Sequence, residues 1–487
     1  MWATCSSIGS TLWEVWGGPL AESSGLYGPR DRTYGRWGVP FSAMEKRLYE
    51  KDDVEISFHR VMLANGKDWV WYQVWQDPIA VVQTGRNADM IFVHGTGVHS
   101  GTLASQCRRY LDAGFRLIVP DLPSHGFSSG LHVYQRNMAG FCEGLRAVLH
   151  DVAQRDQAAS CFPTVRPTKL ERRKTFMLGL SFGGLVAFSY ALQYPASYRY
   201  DESDTDEIPI DGLVGVGPMV AYNAKFVVVN TALRWLFLVL LFVFGLGRLE
   251  AIVPHKKVVD KDPKVYESLV MQDPRSHKGS FRIGHLWCIV KAMEDLRHRA
   301  HEIRHPIYIQ MGGDDRVADN MAALKWIRET QSQDKRYEVY PICQHVIYKK
   351  AKTQHDDLAG RISVIADNVE WMIERSPAVF ARRVGRLASY ASDSSSISRS
   401  TSRTSLFDED DDSASIATSV PTSPGLTDRD IDIAEVKYAG GHRDEGHVLP
   451  DHLCGWRLDE EGEMRLYRRT WNFREDSRPF LYDPHAV

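Results

Sequence analysis

Residues 175–194 read TFMLGLSFGGLVAFSYALQY, and this stretch carries the strongest indication of the fold. The apolar run TFML leads into GLSFG at 179–183, and an apolar, Gly-rich stretch follows. This is the pattern G-x-S-x-G between a strand and a helix, where a serine occupies a sharp turn above a parallel sheet. Gly179 and Gly183 are expected because side chains there would clash within the turn. The pattern predicts that Ser181 is a nucleophile, with the N terminus of the following helix pointing at it.

The same pattern occurs once more, as GFSSG at 126–130. It follows DLPSH after a strand and leads into LHVYQRN, which does not begin a Gly-rich helix. Since structural context and not the bare pattern identifies a nucleophile turn, Ser181 is predicted to react and Ser128 is not.

Short apolar runs recur along the chain, each ending in Gly, Pro or Ser. Their length and composition indicate strands that are buried on both faces of a sheet. Five of them are ADMIFVHG, FRLIVPDLP, KTFMLGLS, IDGLVGVGP and HPIYIQMGG. Helix-like stretches separate them, and two strands joined by a turn at Asn65-Gly66 precede them. The sequence therefore predicts an α/β fold with a mainly parallel sheet flanked by helices.

A serine nucleophile needs a base and a carboxylate that orients the base, in the chain order Ser, acid, His in this fold class. Downstream of Ser181, the run PIYIQM is followed by Asp314 and Asp315, and the run RYEVYP is followed by His345. Both positions follow strands, where α/β sheets place their sites. These patterns predict His345 as the base and leave Asp314 and Asp315 as equal candidates for the acid.

An oxyanion hole is predicted from IFVHGTG at 91–97, an apolar strand that enters a His-Gly-x-Gly turn. One backbone donor in this fold is the residue after the nucleophile, here Phe182, and the other lies in the turn, here Thr96. Gly95 and Gly97 are the glycines of this turn. The alternative is that the turn serves only backbone geometry.

Five motifs follow one another along the chain: HGTGVHSG, DLPSHGFSSG, GLSFGG, MGGDDRVAD and YPICQHVIYKK. Over about residues 54–375, their order and spacing resemble those of monoacylglycerol lipase-like α/β hydrolases, a group similar to lysophospholipases and serine-aminopeptidase-type hydrolases. The resemblance implies an α/β-hydrolase fold and a serine carboxylic-ester hydrolase. No cofactor is predicted. In the family's G-x-x-D-R motif the acid directly precedes the Arg, which here selects Asp315. The resemblance further implies Ser181 as nucleophile, His345 as base, Thr96 and Phe182 as oxyanion donors, and Asp121 and His125 as structural loop residues.

A helical cap is inserted in this family, here over about 222–296, and it would contain the apolar run at 226–247. If this run crossed a membrane, Ser181 would lie on one side and Asp315 and His345 on the other. We therefore expect an interfacial cap helix that dips into a membrane or lipid surface. A cap helix buried in the protein core is the alternative.

Composition shifts divide the rest of the chain. The predicted divisions are an irregular N-terminal extension (1–53), a first core part (54–221), the cap (222–296), a second core part (297–380), a disordered Ser/Thr/Asp-rich linker (381–430) and a C-terminal segment (431–487) that could dock on the core. Within the last of these, WRLDEEGEMRLYRRTW resembles a hairpin.

Charge and cysteine content exclude several classes of protein. The 487 residues carry 59 Lys and Arg against 62 Asp and Glu, a net charge of −3, which argues against nucleic-acid binding. Seven cysteines without a CxxC pair indicate reduced thiols, and the N terminus lacks a signal-peptide pattern, so a cytoplasmic protein is predicted. His442, His447, His452 and Cys454 fit no zinc spacing, and no metal site is predicted.

The sequence thus predicts hydrolysis of a long-chain acyl ester, with monoacylglycerol favoured over lysophospholipid and with peripheral contact to a lipid surface. Two alternatives remain open. One is a peptidase or small-ester hydrolase of the same fold, and the other is a non-enzymatic membrane adaptor. The sequence pattern leaves the oligomeric state open.

Overall fold

The computed structural model describes most of the chain up to residue 376 and three short strands beyond it. The described residues are 9–24, 26, 31–159, 172–198, 207–223, 236, 239, 244–250, 260–376, 455–458, 464–468 and 480–481. The linker predicted at 381–430, most of the apolar run at 226–247 and the cluster from His442 to Cys454 lie outside these residues.

The described strands form one sheet with the order β1-β2-β4-β3-β5-β6-β7-β8-β9-β10-β11. They are β1 (Glu55–Met62), β2 (Trp69–Gln76), β3 (Ala88–Val93), β4 (Phe115–Pro120), β5 (Lys174–Leu180), β6 (Gly212–Val216), β7 (Ile307–Gly312), β8 (Lys335–Tyr340), β9 (Gly455–Leu458), β10 (Met464–Arg468) and β11 (Phe480–Leu481). Neighbouring strands are parallel from β4 through β8, and β1 and β2 form an antiparallel hairpin at one edge. The predicted mainly parallel sheet is confirmed.

Helices cover both faces of this sheet. The α-helices of the described residues are α1 (Gly18–Ser23), α2 (Ala43–Tyr49), α3 (Pro78–Thr84), α4 (Arg108–Asp112), α5 (Met138–Ala159), α6 (Phe182–Gln193), α7 (Pro263–Tyr266), α8 (Ile283–His298), α9 (Asn320–Glu329), α10 (Gln354–Asp357) and α11 (Ser363–Arg375). Alternate residues of a strand point to opposite faces, so Met177 of β5 joins the core under α5 and α6, while Phe176 and Leu178 join the core under α4 and α11.

The N-terminal extension, predicted to be irregular, contains helical turns in its described residues. Helix α2 begins with a capping box, in which Ser42 Oγ accepts a hydrogen bond from the Glu45 N–H (3.3 Å) and Glu45 Oε2 accepts one from the Ser42 N–H (2.9 Å). This reciprocal cap stabilises a helix of only seven residues that a search for long periodic segments overlooks.

The cap is described only in part. Helix α8 begins within it and continues to His298, so the predicted boundary at 296 falls inside this helix. Among the residues that the structure describes, no helix combines the length and the apolar character needed to cross a bilayer.

At the other edge of the sheet, β9 and β10 pair antiparallel, and β9 also pairs antiparallel with β8. This is the hairpin suggested by the sequence of the C-terminal segment. Its first strand extends the core sheet by main-chain pairing, as at Val339 and Trp456.

Candidate active site

Ser181 lies in the sharp turn between β5 and α6. Its backbone has φ 53° and ψ −115°, a conformation that is strained for a residue with a side chain. The turn also requires glycine on both sides. A Cβ at Gly183 would lie 1.9 Å from the Val93 carbonyl oxygen, and one at Gly179 would lie 2.4 Å from the Gly183 carbonyl carbon.

His345 lies in the loop that follows β8, and its ring reaches the serine. The distance from Ser181 Oγ to His345 Nε2 is 2.7 Å, which is a hydrogen bond. The His345 side chain is only 7% exposed. The loop after β8 therefore brings a titratable ring to a hydroxyl that is 164 residues away in the chain.

Asp315 accepts the other hydrogen bond of this ring, because its Oδ2 lies 2.9 Å from His345 Nδ1. Its second oxygen, Oδ1, accepts hydrogen bonds from the N–H groups of Val317 (2.8 Å) and Ala318 (2.9 Å). The side chain of Asp315 is fully buried. Asp314 instead forms an ion pair of 2.5 Å with Lys261 and is 38% exposed, so the structure separates the two adjacent carboxylates.

The turn after β3 lies against Ser181. A Cβ at Gly95 would be 3.7 Å from Ser181 Cβ, and Gly97 has a φ of 77°, in the left-handed region. Thr96 lies between these glycines. Phe182 is the first residue of α6, so the Phe182 N–H has no acceptor within the helix. Both predicted oxyanion donors are thus backbone groups of segments that adjoin the serine.

The competing segment at 126–130 has a structural role. Ser128 is fully buried, and its Oγ accepts a hydrogen bond from the Trp71 N–H (2.9 Å) and donates one to the Asp121 carbonyl (2.5 Å). The Asp121 carboxylate accepts hydrogen bonds from the backbone (2.9 Å) and hydroxyl (2.6 Å) of Ser100 and from the Phe127 N–H (2.7 Å). This loop and the loop after β3 are therefore tied together.

Buried histidines surround these loops. Burial lowers the pKa of His94 to about 4, and its Nε2 accepts a hydrogen bond from the Leu122 N–H (2.9 Å). Burial, with a smaller contribution from His277, lowers the pKa of His285 to about 3. The His285 ring lies 5.1 Å from the Phe182 ring and 6.0 Å from the His125 ring, and its two nitrogens make no hydrogen bond within the described part of the chain. These rings are neutral near pH 7.

The sequence patterns missed a group of charged residues next to the turn at 95–97. Glu45, Asp273 and Arg275 are buried and come from the N-terminal extension and the cap. The one available signal was the spacing Ser42-x-x-Glu45, which is typical of a capping box and marks the start of a helix.

Comparison with known proteins assigns this chain to a family. Residues 85–350, more than half of the chain, match the family model described as serine aminopeptidase, S33. The chain belongs to this family. The matched range includes Thr96, Ser181, Asp315 and His345. Together with the mainly parallel sheet, the match confirms the predicted α/β-hydrolase fold.

Curated relatives are similar to this chain at low identity over most of their own length. A monoacylglycerol lipase of Mycolicibacterium smegmatis is 23% identical over 62% of this chain and 92% of the relative. Human monoglyceride lipase is 24% identical over 55% of this chain and 78% of the relative. A phospholipase of Bacillus subtilis is 20% identical over 60% of this chain and 97% of the relative. The resemblance to monoacylglycerol lipase-like hydrolases is confirmed, and the chain groups with carboxylic-ester hydrolases.

Proposed function

We propose that this protein hydrolyses long-chain acyl esters through an acyl-Ser181 intermediate, with monoacylglycerol as the favoured substrate and lysophospholipid as the next. The observation that carries the proposal is the unbroken chain of hydrogen bonds from Ser181 Oγ to His345 (2.7 Å) and from His345 to Asp315 (2.9 Å). A serine, a base and an orienting carboxylate in this arrangement are the parts that nucleophilic acyl transfer needs.

In the first half of the reaction, His345 Nε2 takes the proton from Ser181 Oγ as the oxygen attacks the ester carbonyl carbon. The N–H groups of Thr96 and Phe182 donate hydrogen bonds to the oxyanion of the tetrahedral intermediate. As the intermediate collapses, the carbon–oxygen bond to the alcohol breaks and His345 gives its proton to the leaving alcohol.

In the second half, His345 removes a proton from a water molecule that attacks the acyl-serine carbonyl. Collapse of this intermediate returns the proton to Ser181 and releases the fatty acid. Throughout, Asp315 accepts the hydrogen bond from Nδ1 and so holds Nε2 towards the serine, and it stabilises the imidazolium when that forms.

The preference for lipid esters is supported by the relatives, since two of those described above are monoacylglycerol or monoglyceride lipases and a third is a phospholipase. Each of these relatives is less than 25% identical to this chain, so the favoured head group is part of the proposal. Fold alone does not set the substrate.

We also propose peripheral contact with a lipid surface through the cap and the N-terminal helical turns. Trp16 Nε1 donates a hydrogen bond to the Phe244 carbonyl (2.9 Å), so these turns adjoin the end of the apolar run at 226–247. Exposed tryptophans and aliphatic side chains together favour the boundary between lipid and water. Exposed apolar side chains of these two segments include Leu12, Trp13, Trp16, Leu20, Leu236, Val239 and Phe244.

The deciding experiment measures fatty-acid release from micellar monoacylglycerol by the purified protein, with Ser181→Ala as the inactive control. Lysophosphatidylcholine and an aminoacyl amide serve as parallel substrates. Release from the amide alone would replace the proposal with peptidase activity, in keeping with the family's description as serine aminopeptidases. A protein that fails to react with a fluorophosphonate would favour the membrane adaptor.

Contact with lipid is tested separately by co-sedimentation with phosphatidylcholine vesicles. The double change Trp13→Ser and Trp16→Ser should reduce the bound fraction severalfold, because it removes two exposed aromatic rings. Equal binding of the variant and the wild type would contradict a contact at this surface.

A further inference from the structure

The cap loop at 273–277 contacts the turn at 95–97 and the adjoining His99 through two of its residues. The Asp273 carboxylate lies 2.9 and 3.0 Å from His99 Nε2, and the His277 N–H donates a hydrogen bond of 2.6 Å to the Gly97 carbonyl. Both contacts are buried. The position of the turn at 95–97 therefore depends on the position of the loop at 273–277.

Arg275 lies between these two contacts, and its side chain is fully buried. Its guanidinium group is 4.5 Å from the centre of the Phe127 ring, and its Nη1 is 3.7 Å from Asp121 Oδ2. Burial opposes the ionisation of Asp121, yet the neighbouring Arg275 keeps the pKa of Asp121 below its ordinary value. Asp121 also accepts hydrogen bonds from Ser100, which follows the turn at 95–97. Arg275 is therefore connected to this segment through Asp121 as well.

The close counter-ion of Arg275 comes from the N-terminal extension. Glu45 Oε2 forms an ion pair with Arg275 Nη2, and both side chains are fully buried. Glu45 is itself fixed by hydrogen bonds from the Ser42 N–H (2.9 Å) and hydroxyl (2.8 Å) and from Gln73 Nε2 (3.1 Å). A Cβ at Gly101 would lie 2.1 Å from the Glu45 carboxyl carbon, so the carboxylate packs directly on the backbone of Gly101.

We propose that Glu45 is a positioning residue that, through Arg275, fixes the cap loop at 273–277 against the turn at 95–97 and thereby sets the Thr96 N–H. The proposal rests on the proposed function insofar as Thr96 is an oxyanion donor. When Arg275 loses its nearest carboxylate, we expect its guanidinium group to shift towards Asp121 or to draw in water, and either change displaces the loop that carries it. Oxyanion stabilisation depends on donors held at hydrogen-bonding distance before the reaction begins.

The test is Glu45→Gln, which keeps the size of the side chain and removes its charge. Its matched control is Glu50→Gln, the same change at an exposed residue next to the same helix. For Glu45→Gln we expect kcat for a monoacylglycerol to fall about tenfold with KM within about twofold, because the lost contact acts on the transition state. Glu50→Gln should leave both constants unchanged.

A second readout does not depend on activity. Amide hydrogen exchange over residues 96–101 should become about tenfold faster in Glu45→Gln and stay unchanged in Glu50→Gln, because the loop loses its support. If the wild type turns over no ester and exchange still accelerates, the proposed function fails and the positioning role stands. Unchanged exchange and unchanged kcat in Glu45→Gln would overturn the positioning role alone.

Arg275→Lys provides the second variant should Glu45→Gln fail to fold. It keeps the charge and removes the planar fork that spans Glu45 and Asp121. We expect the same pattern with a smaller amplitude, a few-fold loss in kcat and a few-fold faster exchange over 96–101. A general loss of thermal stability with normal exchange in this loop and normal kcat would mean that the pair is merely structural.

Discussion

Two segments of this protein carry the pattern G-x-S-x-G, and the surroundings of their serines are opposite. Ser181 is partly exposed, has a strained backbone and shares its hydroxyl with a histidine. Ser128 is fully buried and gives its hydroxyl to backbone groups. The carbonyls of Gly126, Ser128 and Gly130 are in turn held by the Arg36 guanidinium at 2.7–2.9 Å.

In the first segment a strained turn presents the Ser181 hydroxyl to a histidine, which is the arrangement that the proposed nucleophile needs. A serine whose donor and acceptor capacities are already used within the fold contributes stability instead. The same contrast divides Asp314 from Asp315, which are adjacent in the sequence but differ in burial and partners.

The largest expected effect separates the two serines by activity. Ser181→Ala should lower kcat by a factor of about 10⁶, since the nucleophile is lost. Ser128→Ala should keep kcat within about threefold in the fraction of protein that is folded, because Ser128 touches no reacting group. Ester hydrolysis normalised to folded protein measures both, and a comparable loss in Ser128→Ala would end the distinction.

The next effect separates the two aspartates. Asp315→Asn should lower kcat by about 10⁴-fold, because the amide no longer orients the His345 ring or stabilises its imidazolium form. Asp314→Asn removes only a half-exposed ion pair with Lys261 and should change kcat by less than about twofold. Steady-state ester kinetics on both variants would contradict the assignment of the acid if the two losses were equal.

A smaller effect concerns stability. Ser128→Ala should lower the free energy of unfolding by about 2–4 kcal/mol, because the buried Trp71 N–H and Asp121 carbonyl lose their partner. Denaturant unfolding measures this loss, with Ser105→Ala at a more exposed serine as the reference. Equal stability of the two variants would show that water replaces the Ser128 hydroxyl.

The smallest effect is a dependence of the free energy of unfolding on pH, which arises at His285. A histidine with a lowered folded-state pKa binds its proton more readily in the unfolded chain, so the free energy of unfolding falls as the pH falls below about 6.5. For His285, whose pKa is about 3, the loss is about 1.4 kcal/mol per pH unit between pH 6 and pH 4.

Replacement of this ring should remove its share of the pH dependence. His285 packs among Phe141, Phe182 and Phe281, and His125 and His277 face it, so His285→Phe fits the aromatic surroundings. We expect the slope of unfolding free energy against pH to flatten by about 1.4 kcal/mol per unit relative to the wild type. His301→Gln at an exposed site is the control, and identical slopes in all three proteins would refute a neutral, buried His285.

Sequence patterns were sufficient to predict features whose residues are contiguous in the chain. The strand, the glycines and the helix around Ser181 are contiguous, and the apolar runs fix a mainly parallel sheet without knowledge of any contact. Asp315 was separable from Asp314 only through the resemblance to a family, because the two residues share one loop and one side-chain type. The structure distinguishes them by burial and by the ring that Asp315 meets.

The buried pair of Glu45 and Arg275 near the turn at 95–97 could not be predicted in the same way. Glu45 and Arg275 lie far apart in the sequence, and neither belongs to a motif that indicates the other. Burial of such a pair depends on how the extension, the sheet edge and the cap pack together, which is long-range information. Without those contacts, charged residues in the sequence are interpreted as exposed to solvent.

The packing of residues 31–49 also bears on where this protein can be cut. A fragment that begins at residue 54, where the resemblance to the family begins, would contain all the proposed reacting groups. It would nevertheless lack Glu45 and Arg36, so that Arg275 loses its close counter-charge and the carbonyls of 126–130 lose their donor. Removal of one partner from a buried ion pair costs several kcal/mol, a large fraction of the stability of many domains, even though Asp121 remains 3.7 Å from Arg275. The part of the chain that resembles the family therefore excludes residues whose contacts hold two of its loops.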